Sequence, residues 1–131
     1  MEKSERNTIL VVDDNQDAVY TISLFLEFKG YKVHTRYSGK DALEAVETLQ
    51  PDLVILDLAM PEMDGYETAT RLRATHGTAL PLIALSGYGQ QEDKRKSAEV
   101  GFNAHLVKPV DFAALLELLD SFLNQPADIT H

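Results

Sequence analysis

The sequence predicts an α/β fold, a doubly wound parallel sheet with helices on both faces, and three observations carry that expectation. Stretches at 9–12, 53–58, 80–85 and 104–107 are near-continuous apolar runs, the last with His105 inside it, and such runs suit strands buried on both faces. Segments of helical period lie between them, so strand and helix alternate five times. The 131 residues support one domain around one core.

Taken in order, ILVV at 9–12 is the first strand. The first helix places Ala18, Ile22, Phe25, Leu26 and Lys29 on one face, and Gly30 stops it where a left-handed residue is wanted. At 31–36, Tyr31, Val33 and Thr35 alternate with Lys32, His34 and Arg36, the pattern of a half-exposed edge strand. Ala42, Leu43, Val46 and Leu49 mark a second helix ended by Pro51, and the third strand follows at 53–58. A third helix starts near Asp64–Gly65 and runs through Tyr66, Ala69, Leu72 and Arg73 to His76–Gly77. After the fourth strand, the segment at 91–100 offers only Ala98 and Val100 as apolar anchors, so a helix there is weakly held. The preceding Ser86-Gly87-Tyr88-Gly89 adds two glycines, and this region is expected to move. The last helix has Phe112, Leu115, Leu116, Leu119, Phe122 and Leu123 at three- and four-residue spacings, with Asp111 as its N-cap. Right-handed crossovers then place any ligand site beyond the carboxyl ends of the strands.

Composition narrows the chemistry. A net charge of −9 disfavours phosphate backbones, so no nucleic acid is expected to bind this chain, and a protein or a cation is the expected direct partner. The absence of cysteine excludes disulfides, thiolate nucleophiles and cysteine zinc sites. The start is polar and no apolar stretch approaches the ~18 residues of a membrane span, so a cytoplasmic protein without membrane insertion is expected.

The strand ends carry the reactive groups. ILVV runs into Asp13 and Asp14, where a nucleotide-binding loop would need glycines, and the chain has neither GxGxxG nor a Walker loop. The third strand brings Asp57, the fourth Ser86, and the fifth Lys108 followed by Pro109. Three carboxylates together raise one another's proton affinity unless a divalent cation binds them, and hard oxygen donors with room for water suit Mg²⁺. A carboxylate beside a cation and an ammonium can act as nucleophile toward a phosphoryl group, and Asp57, central in the strand order, is the natural acceptor. Ser86 could then bond a phosphoryl oxygen and draw in the glycine-flanked loop.

The motifs ILVVDDN, VILDLAMPEMDGYE, LIALSGYG and GFNAHLVKPVD identify the chain as similar to response-regulator receiver domains of two-component signalling, over 8–123, with 1–7 and 124–131 as polar tails. The resemblance implies a five-stranded flavodoxin-like (βα)5 fold with strand order 2-1-3-4-5. It implies Asp57 as phosphoacceptor, Asp14 as a direct Mg²⁺ ligand, Asp13 as a ligand mainly through water, and the Ala59 carbonyl completing the site, with Mn²⁺ as an alternative ion. Ser86 would be the hydroxyl switch and Lys108 the phosphate-binding residue, with a cis peptide between Lys108 and Pro109. The implied donor is a histidine kinase or histidine phosphotransfer protein, and output passes through the 86–107 face to a downstream protein.

Two departures matter. His105 stands where the family usually has Tyr or Phe, and an imidazole titrates near neutral pH, so a pH-biased output is expected. Ala59 cannot orient an attacking water while Tyr88 could cover the phosphate, so slow self-dephosphorylation is expected. Two other functions compete. A phosphatase of haloacid-dehalogenase type wants a second Asp two residues after its nucleophile, where this chain has Ala59. A structural receiver that is never phosphorylated would be expected to lack the acidic pair, the acceptor or the lysine, and all are present. The reading is therefore a phosphoacceptor switch that catalyses its own phosphotransfer and dephosphorylation, with no turnover substrate. The receiver accounts for the chain's length, so no DNA-binding output is expected within it; a stand-alone regulator and the receiver of a hybrid sensor kinase both fit.

Overall fold

A strand sends successive side chains to opposite faces, so a strand apolar at every position must be covered twice. The computed structural model describes residues 7–87 and 91–123, with the backbone alone for 91–94. In it β1 (Thr8–Val12), β2 (Lys32–Arg36), β3 (Leu53–Asp57), β4 (Leu82–Ser86) and β5 (Ala104–Val107) form one parallel sheet ordered β2-β1-β3-β4-β5. The helices α1 (Gln16–Phe28), α2 (Gly39–Leu49), α3 (Gly65–His76), α4 (Gln91–Glu99) and α5 (Phe112–Leu123) each follow one strand. This is the expected doubly wound arrangement.

The pleat divides the core in two. Leu10, Val12, Val54, Leu56, Leu82 and Ala84 pack against Ala42 and Val46 of α2 and Ala69 and Leu72 of α3. Their alternates, Ile9, Val11, Leu53, Ile55, Ile83 and Leu85, pack against Val19, Ile22 and Leu26 of α1 and Leu115 and Leu119 of α5. Each fully buried Leu or Ile contributes about 1.5–3 kcal/mol, which is why β1, β3 and β4 hold the centre of the sheet. Side-chain caps set the helix starts: Asn15 accepts from Ala18 N, Ser38 from Asp41 N, Asp64 from Glu67 N and Asp111 from Ala113 N.

Several expectations need correction. The run at 104–107 is not a buried strand, because the strand order places β5 at the sheet's second edge, where Val107 is 42% exposed. Leu58 and Leu80 fall outside β3 and β4. On α1 the buried stripe contains Val19 instead of Lys29, whose ammonium lies over the rings of Phe25 and Phe28. α2 stops at Leu49, with Gln50 in a left-handed conformation before Pro51 is reached. Ala98 does not anchor α4: it is exposed, whereas Ser97 is buried because its hydroxyl has a partner on β5. None of the described helices is long and apolar enough to cross a membrane.

Candidate functional site

Strand register and pleat assemble the site. β1 and β3 pair Val12 with Leu56, so the next residue on each, Asp13 and Asp57, leave the sheet side by side. By alternation both continue the rows Ile9–Val11 and Leu53–Ile55 that face α1 and α5. Lys108 continues the row of Ala104 and Leu106 on that same face. Its Nζ lies 2.8 Å from Asp13 Oδ2 and 3.4 Å from Asp57 Oδ1. Asp13 and Asp57 are buried, Asp14 is exposed, and one carboxylate oxygen from each of the three lies within 4.8 Å of the others. Asp13 Oδ1 accepts from Asn15 N at 3.0 Å, which ties the acidic turn to the start of α1.

Burial and the neighbouring Asp13 charge push the Asp57 carboxyl up to about 7, against the pull of Lys108. On Lys108, burial works against the charge, but the bond to Asp13 and the charge of Asp57 outweigh it and hold the ammonium above its usual range. The cluster is thus short of positive charge. Its donors are all oxygens and its third carboxylate is open to solvent, a set that fits a hard divalent cation such as Mg²⁺.

Ser86 and His105 belong to the opposite row. Ser86 continues Leu82 and Ala84, and His105 pairs with Ala84, so both side chains face the α2–α3 side of the sheet. Ser86 Oγ lies 2.6 Å from His105 Nε2, and Ser97 Oγ of α4 lies 3.2 Å from Nδ1. The Lys108–Pro109 peptide is cis, and Lys108 N donates to Ser86 O at 2.9 Å, joining the ends of β4 and β5. Ala59 is exposed in the loop after β3. Tyr88 lies outside the described residues.

Three contributors were not singled out from the sequence. Gly65 reads there as turn chemistry, but it opens α3 against the end of β3: a Cβ would run into the Asp57 carbonyl oxygen and lie 2.7 Å from Leu58 Cα. Arg73 reads as one residue of a helical stripe, yet its guanidinium donates to the carbonyls of Gly77, Leu80 and Gly101 and to Asn103 Oδ1, fastening the turn between α4 and β5. Ser97 sits in a segment whose polarity gave no sign that one residue turns inward. Glycine next to Asp64 and arginine in a helix are too common for sequence alone to have marked them.

Fold and site together define a class: a small α/β domain whose chemistry is concentrated in an acidic cluster and a lysine beyond the carboxyl edge of a parallel sheet. The family model for the response regulator receiver domain matches residues 9–120, and the chain belongs to that family. Receiver domains are phosphoacceptors of two-component signalling that interact with histidine kinases or phosphotransfer proteins. The chain is 39% identical over 123 residues to an uncharacterized 14.6 kDa protein of the sodA1 3′ region of Leptolyngbya boryana, covering 93% of this chain and 94% of that one. It is 34% identical to the DNA-binding dual master transcriptional regulator RpaA of Synechocystis, covering 89% of this chain but 49% of RpaA. Thus it spans about half the length of that relative. Among solved structures, the chemotaxis protein CheY4 of Vibrio cholerae superposes with a TM-score of 0.83 at 30% identity, over 90% of this chain and 99% of that one. A CheY-like receiver protein of Methanospirillum hungatei gives a TM-score of 0.84 at 28% identity, over 92% and 95%.

Proposed function

We propose that Asp57 accepts a phosphoryl group from a phosphohistidine in a divalent-cation-dependent reaction and that the resulting charge changes the 86–107 face for contact with a downstream protein. The single observation that carries this reading is the Asp13–Lys108–Asp57 cluster, a buried carboxylate flanked by an ammonium at the open edge of the sheet. In the transfer an Asp57 oxygen forms the new O–P bond, the N–P bond of the donor breaks, and its electron pair stays on the donor imidazole nitrogen. Lys108, already 3.4 Å from Asp57 Oδ1, counters the charge that collects on the phosphoryl oxygens. Asp13, Asp14, Asp57 and the Ala59 carbonyl would hold Mg²⁺, or Mn²⁺, and a bound ion would neutralise the carboxylates and orient the incoming phosphoryl oxygens. Ser86 then donates a hydrogen bond to one of those oxygens.

The donor is a histidine kinase or histidine phosphotransfer protein. The chain acts as a switch without a turnover substrate and works in the cytoplasm. Ala59 cannot supply the general acid that a haloacid-dehalogenase-type phosphatase needs, which favours a lasting acyl phosphate. The test is incubation with acetyl phosphate and Mg²⁺, followed by intact mass. An adduct of one phosphoryl group that disappears in Asp57→Asn and in excess EDTA is expected. An adduct that survives Asp57→Asn, or none in the wild type, refutes the assignment.

A further inference from the structure

His105 stands between two hydroxyls on two different elements. Its Nε2 is 2.6 Å from Ser86 Oγ at the end of β4, and its Nδ1 is 3.2 Å from Ser97 Oγ in α4. Both serines are about 1% exposed, so water is a poor substitute for either bond. A neutral imidazole carries one proton, so one nitrogen donates and the other accepts. The distances assign them. Hydroxyl donors approach to about 2.5–3.0 Å, whereas N–H donors stay at about 2.7–3.2 Å. The arrangement that fits both distances has the Ser86 O–H donating to Nε2 and Nδ1–H donating to Ser97 Oγ.

We propose that His105 is a tautomer relay, transmitting the state of the Ser86 hydroxyl to α4 through Ser97. The relay rests on Asp57 being the phosphoacceptor. Once Ser86 points its only O–H at a phosphoryl oxygen and donates that hydrogen bond, its Oγ can only accept from the ring. To keep that bond the ring must carry its proton on Nε2, which leaves Nδ1 able only to accept, from the Ser97 O–H. The proton count balances: the ring keeps one proton, moved from Nδ1 to Nε2, each serine keeps one, and only the directions of the bonds reverse. A phenyl ring, with no nitrogen at either end, cannot do this.

The consequence falls on α4. Ser97 is its buried side chain among those described, and its proton, available to other acceptors while Nδ1 donates, is committed to Nδ1 after the change. Beyond the helix, Arg73 secures Gly101 O and Asn103 Oδ1. With that end fastened, a change at Ser97 acts on the rest of the helix as on a lever. His105 and Ser97 are positioning residues here, since they act through Ser86.

The test is an imidazole nitrogen NMR spectrum of ¹⁵N-histidine-labelled full chain at about pH 8, above the ordinary imidazole value of about 6.5. It is recorded before and after acetyl phosphate with Mg²⁺, with His105 assigned by its loss in His105→Phe. The expected result is an Nδ1–H pattern that becomes an Nε2–H pattern as the Asp57 adduct accumulates. In uniformly ¹⁵N-labelled Ser97→Ala the adduct forms at the wild-type rate, but the α4 amide shift changes fall to less than half of those in equally labelled wild type. An adduct on Asp57 with the ring still in the Nδ1–H form overturns the relay, as do undiminished α4 shifts in Ser97→Ala. Absence of the adduct overturns instead the phosphoacceptor reading, and the trigger with it. The spectrum of the wild type decides even if Ser97→Ala does not fold.

Discussion

Asp57→Asn is expected to stabilise the metal-free protein, and the gain follows from the electrostatics of the site. The carboxyl rises from 3.8 to about 7, chiefly by burial and by the Asp13 charge. At about 1.36 kcal/mol per pH unit, holding it ionised costs the native state about 4 kcal/mol relative to an ordinary Asp in the unfolded chain. The sign is specific. Below about pH 4 both states keep the proton and nothing is lost. As pH rises from about 4 to about 7 the unfolded chain ionises while the native one resists, so native stability falls across that window and levels off above it. An amide of nearly the same shape escapes this penalty. Urea unfolding followed by circular dichroism, in EDTA, should show Asp57→Asn more stable by up to about 4 kcal/mol at pH 8, with the gap closing toward pH 4. Taking the difference between the two proteins cancels the carboxylates remote from the site. Mg²⁺ at about a hundred times its dissociation constant should then add about 2.7 kcal/mol to the wild type and much less to the variant. A variant no more stable than wild type at pH 8, or a gap that widens on acidification, would refute the account of a cation-starved pocket.

Lys108→Met removes the only cation seen on Asp13 and Asp57 among the described residues, so phosphoryl transfer from acetyl phosphate should slow about 10²-fold, read from the rate of mass gain. Gly65→Ala puts a methyl against the Asp57 carbonyl; a loss of about 1–3 kcal/mol in urea unfolding is expected, with slower adduct formation, and a neutral outcome would mean that α3 can retreat without moving Asp57. Arg73→Ala leaves the Gly101 and Leu80 carbonyls without their donor, and should cost about 3 kcal/mol and raise amide hydrogen exchange at 100–103 while the Asp57 adduct still forms.

Much of this protein was legible in its residues because the relevant rules are periodic. Apolar runs marked the strands, three- and four-residue spacings marked the helices, and the strand ends located Asp13, Asp57, Ser86 and Lys108. Once the strand order is known, alternation alone places Asp13, Asp57 and Lys108 on one face and Ser86 with His105 on the other. Tertiary structure decided the rest. It decided that Gly65 rests on the backbone of Asp57, that Arg73 fastens Gly101, and that Ser97 in a polar helix turns inward to meet His105. The physical reason is range. Period and propensity act between residues a few places apart, whereas a carbonyl waiting for a guanidinium, or a ring nitrogen waiting for a hydroxyl, becomes visible only when crossovers and register have brought distant segments together.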